Sequence, residues 1–281
     1  MRSRIDARAI YMIINIHEHL WGSKELERYD IVEVAERCGF DITCISKVEL
    51  PGGRFPSNPT RDECRRNNLD VKKLVGRHPG KFLGFCLINP TETGAADDLE
   101  GWIKGEGFAG LKLYTTVYAD DPLVDPLAER AAELGVPILF HVEWEWPWLY
   151  SRTGRFRYNP NPVDKRSSGI HIRALAERHP STNIINGHVN MLGQDWEASI
   201  RTIKGSRNVY ADLSGSGCSR GCIEFAVREL GAERCVFGTD GSIAPCIAAI
   251  RSAEIGEDER ELILSGNAMR LLGIHGGDDD Y

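Results

Sequence analysis

The sequence lacks the marks of several protein classes. No CxxC pair occurs among its eight cysteines, which are scattered at 38, 44, 64, 86, 218, 222, 235 and 246. No charged-then-apolar leader opens the chain, so nothing in it suggests secretion and a disulfide framework is not expected. Long apolar runs are missing as well. The longest are strand-sized, far below the roughly 20 residues of a membrane-spanning helix. Positive charge is in deficit, with 34 Lys and Arg against 41 Asp and Glu, a net charge of −7. A nucleic-acid partner would call for a basic patch or stripe, so none is expected. No GxGxxG follows the first apolar run, and neither a Gly-rich phosphate loop nor an aromatic RNA platform is present. What remains is ordinary globular composition, 42% hydrophobic and 27% charged in 281 residues. The expectation is a cytoplasmic protein of one domain, residues 1–281, with no membrane partner.

Short apolar runs rich in Val, Ile and Phe alternate with segments of helical period. Strands are expected at 10–16, 41–48, 81–88, 108–114, 136–142, 183–188, 209–213 and 235–239. Helices are expected at 30–38, around 69–75, and at 95–105, 123–134, 170–178, 196–204 and 222–230, with two more at 244–255 and 259–272. The first strand, IYMIINI, is apolar on both faces apart from Asn15, as in a strand covered on both sides. Eight such pairs without a domain-sized linker predict an α/β fold, a closed (β/α)8 TIM barrel. The rival is an open doubly wound sheet, whose dinucleotide version lacks its fingerprint here. Two helices end alike, in Gly76-Arg77-His78-Pro79 and Glu177-Arg178-His179-Pro180. His78 and His179 are therefore helix-end residues, on the wrong end of the barrel for chemistry. The tail at 276–281 is expected to fray.

The other histidines fall differently. His17 and His19 stand two apart at the end of the first strand, so the strand period sends both imidazoles to the barrel interior and Glu18 the other way. His141 ends the fifth strand, His188 the sixth and Asp240 the eighth. A barrel gathers such strand ends on its catalytic face. Neutral imidazoles with a carboxylate suit Zn²⁺ and accept Fe²⁺, Mn²⁺ or Co²⁺. Any one of these residues alone is as readily a satisfied polar group in a loop. Jointly they make a site.

His17-Glu-His19, Lys112 in Gly110-Leu-Lys-Leu, His141, Gly187-His188 and Phe237-Gly-Thr-Asp240 resemble the amidohydrolase superfamily. The closing Ile263-Leu-Ser-Gly-Asn267-Ala-Met-Arg-Leu-Leu-Gly273 is similar to the amidohydrolase-2 (aminocarboxymuconate-semialdehyde-decarboxylase-like) branch, and the likeness covers residues 10–274. The resemblance implies a distorted TIM barrel of the metal-dependent hydrolase type, holding one or two divalent metals. In this branch it implies one ion, with His17, His19, His141 and Asp240 as ligands and Zn²⁺ as the expected metal. His188 then holds or activates the metal-bound water or the substrate, and Asp240 shuttles its proton. Two departures stand out. Asn15 occupies a place where the family often has Asp, which weakens the orientation of a ligand. Thr239-Asp240-Gly241-Ser242 replaces a common Ser-Asp-Tyr/Phe-Pro, so an altered rim is expected. Lys112 either bridges a second metal as a carbamate, with His141 and His188 as that ion's ligands, or is an ordinary barrel lysine with a charge partner.

The segment 143–166 is too long for a connector. It carries Trp144, Trp146 and Trp148 together with Arg152, Arg155, Arg157, Lys165 and Arg166. It suits a lid that attracts a carboxylate-bearing small molecule, and equally a subunit interface of a homo-oligomer. Arg54, in the loop 52–56, shares that ambiguity. Arg54, Trp144 and Trp146 are the candidate substrate contacts. Cys218 and Cys222, four apart, read as packing cysteines rather than half of a metal site. The expected function is a metal-dependent hydrolase, whose bound water, its pKa lowered toward ~7, attacks a small amide, ester or lactone. The alternative on the same scaffold is a metal-dependent nonoxidative decarboxylase of an aromatic or unsaturated acid. A metal-holding protein without turnover is the third class, disfavoured because the ligand set leaves room for water or substrate.

Overall fold

Runs of β-branched and aromatic residues make the strands, and their order in the chain is their order in the sheet. The computed structural model describes residues 12–21, 30–51, 53, 55, 57–142, 165–190, 195–215, 217 and 219–274. Among these, eight parallel strands follow one another: β1 Ile14–His19, β2 Ile42–Ser46, β3 Phe82–Leu87, β4 Gly110–Leu113, β5 Ile138–Phe140, β6 Ile184–Asn186, β7 Val209–Asp212 and β8 Cys235–Val236. Backbone bonds close the seam between the last and the first. The Ile16 N–H donates to the Phe237 carbonyl at 2.9 Å, and the N–H groups of Thr239 and Asp240 donate to the His17 carbonyl at 3.1 and 2.8 Å. The fold is the expected (β/α)8 barrel.

Helices fill the crossovers, as parallel pairing requires. The Ile31–Cys38 helix runs from Asp30, whose carboxylate accepts from the N–H groups of Val32 and Glu33, to a left-handed Gly39. The Arg61–Arg77 helix begins earlier than the apolar period marks it. Its first turns, RDECRRNN, bury no apolar stripe. They are held instead by a Thr60–Glu63 capping box and by Asn68, which exchanges hydrogen bonds with the Leu87 backbone at 3.0 and 2.8 Å. The first strand also differs from expectation. It starts at Ile14 and runs on to His19, because Glu18 and His19 stay paired with Ile45 and Ser46 of β2. The last expected helix divides into Glu257–Glu261, a π-helical turn at Leu262–Gly266 and Asn267–Leu272.

The apolar core has two layers. Outside the barrel, strand residues such as Ile45, Leu111, Phe140 and Ala211 pack against Ala35, Val71, Leu127 and Leu175 of the helices. Inside, Ile14, Ile16, Cys44, Phe85, Leu139, Ile185 and Val236 form a separate cluster with Ala268 and Leu271 of the last helix. No described helix is long and apolar enough to cross a membrane. His78 and His179 lie at helix C-termini as expected, the latter with Nε2 2.8 Å from Asp125.

Candidate metal centre

The inner layer changes character along the strands. Cys44, Leu139, Ile185 and Val236 belong to the apolar cluster. Two residues further on, the inward positions are Ser46, His141, Gly187 and Gly238, while Lys112 and Asp212, paired with Leu139 and Val236, bring polar groups in on neighbouring strands. β1 reaches this polar layer by another route. Ile14 and Ile16 pack with the apolar cluster, and strict alternation from there would turn His17 and His19 outward. Its pairing with β2 shifts register between Asn15 and Glu18, which returns both imidazoles to the interior.

There His17 Nε2 and His19 Nε2 are 3.2 Å apart, and Asp240 Oδ1 lies 3.5 Å from the first and 3.1 Å from the second. Among the described residues these three form a group whose ligand atoms are all within 4.8 Å of one another. The far nitrogens are held from behind. Asp212 Oδ2 is 2.7 Å from His17 Nδ1, and Ser46 Oγ is 3.0 Å from His19 Nδ1. An ionised carboxylate only accepts, so His17 carries its proton on Nδ1 and leaves Nε2 bare. Donors each about 2.0–2.2 Å from one small divalent ion stand about 3.0–3.5 Å from one another, which is the spacing found. The cluster fits a divalent metal.

Protonation agrees. Burial, and then the Lys112 ammonium, lower His17 to about 4. Burial pushes Asp240 upward, but His17, the hydrogen bond with His19 and the nearby His188 prevail and hold its carboxyl well below the usual range. At neutral pH the pair is a neutral imidazole and a carboxylate, the forms that ligate. Lys112 is fully buried, with Nζ 3.0 Å from His17 Nε2, and desolvation lowers it to about 8.

His188 and His141 form a second layer of the site. The His188 ring stacks on His17 with centroids 5.6 Å apart, and its Nε2 is 2.9 Å from His141 Nδ1. His188 Nδ1 is buried and has no hydrogen-bond partner. An orphan acceptor is tolerated better than an orphan N–H, which places the proton on Nε2, donated to His141. Burial, then the neighbouring His141, hold His188 well below the ordinary imidazole range. His141 thus stands one ring away from the His17–His19–Asp240 group. Among the described residues, His188 at φ 40° and Asp240 at φ 46° are the non-glycine residues with left-handed backbone. Two glycines shortly before them allow close packing. A Cβ on Gly187 would lie 2.5 Å from the Phe140 carbonyl oxygen, and one on Gly238 would lie 2.3 Å from Asp212 Oδ1 and 2.9 Å from His17 Cβ.

The departures from the family pattern find their places. Asn15 Nδ2 donates to Thr239 Oγ1 at 2.7 Å rather than to an imidazole, so the orienting task falls to Asp212. Glu18 is buried and accepts from the His19 N–H at 2.8 Å, the Thr239 hydroxyl at 2.6 Å and the Gly241 N–H at 3.3 Å. It anchors the Thr239–Gly241 turn that carries Asp240. Aromatic rings flank the centre, with Trp21 edge-on to His19 at 5.2 Å, Phe55 beyond it at 6.1 Å, and Tyr114 against His141 at 4.5 Å. Asp212, Ser46, Trp21 and Tyr114 had no role in the sequence pattern. For Asp212 and Ser46 a place near a strand end was the one signal, shared with ordinary turn residues. Arg54, Trp144, Trp146 and Cys218 lie outside the described residues, as does most of 143–166. Cys222 is buried, and burial pushes its thiol up to about 12.

A family model described as amidohydrolase, of the amidohydrolase-2 type, matches residues 14–274. The chain belongs to the amidohydrolase family. With a His/His/Asp metal-binding cluster on its barrel, this amidohydrolase is a metal-dependent enzyme. No curated protein matches its sequence. Among solved structures, the amidohydrolase is similar to a dihydroxybenzoic acid decarboxylase from Polaromonas with bound manganese and the inhibitor 2-nitroresorcinol. The identity is 20%, the TM-score 0.73, and the match covers 94% of this chain and 98% of that one. It is also similar to 2,6-dihydroxybenzoate decarboxylase from Rhizobium, at 19% identity and TM-score 0.70 over 95% and 99% of the chains. A third, 5-carboxyvanillate decarboxylase from Sphingomonas paucimobilis, matches at 17% identity and TM-score 0.70 over 94% and 100%. At these identities the shared property is the fold.

Proposed function

We propose that this amidohydrolase is a metal-dependent nonoxidative decarboxylase of an aromatic or unsaturated carboxylic acid, ahead of the amide, ester or lactone hydrolysis that its residue pattern first suggests. The observation that carries this reading is the aromatic rings beside the site, Trp21 edge-on to His19 and Tyr114 tilted against His141, surroundings in which a flat ring can pack. The similar structures named above are decarboxylases of dihydroxybenzoate or carboxyvanillate, and that reaction class is carried over as part of the proposal.

A divalent ion at His17, His19 and Asp240 supplies Lewis-acid pull on the substrate's oxygens. Manganese, which the Polaromonas protein carries, is proposed ahead of zinc, because imidazole with carboxylate serves the harder ions too. His141 is proposed as a fourth ligand, its hydrogen bond to His188 being what that ligation replaces. One ion per chain is proposed, with Lys112 remaining an amine. Asp240 takes the acidic proton of the substrate. The bond between ring carbon and carboxyl carbon then breaks, its electron pair stays on the ring carbon, and Asp240 returns the proton there. RCOOH so becomes RH and CO₂ with no co-reactant. His188, neutral and held at its backbone N–H by Asp212, holds the substrate. Arg54, Trp144 and Trp146 are proposed to receive the remainder of an anionic substrate. The setting is a cytoplasmic homo-oligomer, in which buried thiols such as Cys222 stay protonated and inert.

The test is product analysis. Manganese-loaded protein is offered hydroxylated benzoates and, separately, esters and lactones. The expected result is trapped CO₂ with an equal amount of decarboxylated ring, lost on chelation and in Asp240→Ala. New acid from esters without CO₂ from benzoates would replace decarboxylation with hydrolysis.

A further inference from the structure

Asp212 ends β7 and is fully buried on the inward register of the barrel. Its Oδ2 collects three donors, the His17 Nδ1–H at 2.7 Å, the His188 backbone N–H at 2.8 Å and the Ser214 hydroxyl at 2.5 Å. Its Oδ1 accepts the Ser214 N–H at 3.1 Å. A buried carboxylate is costly unless its lone pairs are used, and here four donors use them. Two of those donors belong to the site. One is the side chain of a metal-cluster residue on β1. The other is the backbone of His188, whose φ of 40° is a conformation that a non-glycine residue keeps only where its surroundings impose it.

We propose that Asp212 is a positioning residue for both histidines. It fixes His17 as the Nδ1–H tautomer, which aims the bare Nε2 at the ion. The same oxygen pins the left-handed backbone that lays the His188 ring between His17 and His141. Gly238 belongs to this device, since any side chain there would strike Asp212 Oδ1. The proposal rests on the metal-centre reading of His17, His19 and Asp240. A merely structural Asp212 would stabilise the fold without altering how tightly the folded protein holds metal. A positioning Asp212 must alter it.

Asp212→Asn keeps the size of the side chain and removes the charge behind His17. Its amide either confronts the three Oδ2 donors with an NH₂ group or turns that group onto the Ser214 N–H. Mn²⁺ affinity, followed by electron paramagnetic resonance of the free ion, is compared in wild type, Asp212→Asn and Ser214→Ala. Melting of each metal-free protein reports its folding. Wild type should bind one Mn²⁺ per chain. Asp212→Asn should remain folded and bind about 10- to 100-fold more weakly, the usual cost of losing a carboxylate behind a ligand histidine. Ser214→Ala, which removes one donor and spares the charge, should fall between the two. Wild-type affinity in folded Asp212→Asn would overturn the proposal. If that variant does not fold, Ser214→Ala decides: weakened binding supports the role of Asp212 and unchanged binding overturns it. Failure of wild type to bind Mn²⁺ would instead overturn the metal-centre reading itself, so the two failures are distinguishable.

Discussion

His17 is where the constraints of the site meet. Asp212 holds one of its nitrogens, while Lys112, His19 and Asp240 crowd the other. Burial lowers it to about 4 from an ordinary 6.5. Between those values the unfolded chain binds a proton that the folded one refuses, so the metal-free protein loses stability as pH falls from 6.5 to 4 and is indifferent to this group above 6.5. At roughly 1.4 kcal/mol for each tenfold change in proton affinity, the loss is about 3 kcal/mol. Chemical denaturation across that range should show a shallower slope in His17→Gln than in wild type, and equal slopes would exclude His17 as the source. Gly238→Ala makes a steric test of the same spot. Its Cβ would press on Asp212 Oδ1 and His17 Cβ, so a cost of about 1–3 kcal/mol in unfolding free energy is expected, together with weaker Mn²⁺ binding. The grouping of His17, His19 and Asp240 could be read from the sequence because these residues fall together at strand ends that a barrel gathers on one face. Asp212 and Ser46 could not be, because Asp and Ser near strand ends are common turn formers and only the neighbours across the barrel distinguish them.

At the scale of elements, what apolar period could show it did show, and it failed where polar chemistry carries the structure. The first half of the Arg61–Arg77 helix has no apolar stripe, so its start depends on Thr60 and Glu63. Thr60→Ala should cost about 1 kcal/mol in denaturant unfolding, and an unchanged unfolding free energy would exclude the cap as what fixes the helix start. The inward aim of His17 and His19 follows from period two only beyond the register shift at 15–18. Such a shift depends on pairing with β2 and leaves no mark in β1 alone. The Thr239–Gly241 turn is likewise set by long-range bonds from Glu18 and Asn15 rather than by its own residues.

At the scale of the whole molecule, the barrel brings β1, β4, β7 and the turn after β8 to one point, with β2, β5 and β6 supplying the groups behind them. That convergence was foreseeable from eight alternating strand and helix signals. The reaction was not, because one cluster of imidazoles and carboxylate serves hydrolysis and decarboxylation alike, and Trp21 and Tyr114 come beside the histidines only in the fold. Everything proposed for the chemistry depends on one ion at one place. Crystals soaked in Mn²⁺ and measured at the manganese absorption edge locate it directly. A single anomalous peak per chain is expected, bounded by His17 Nε2, His19 Nε2 and Asp240 Oδ1. A peak elsewhere in the barrel, or none at saturating Mn²⁺, would contradict the metal centre.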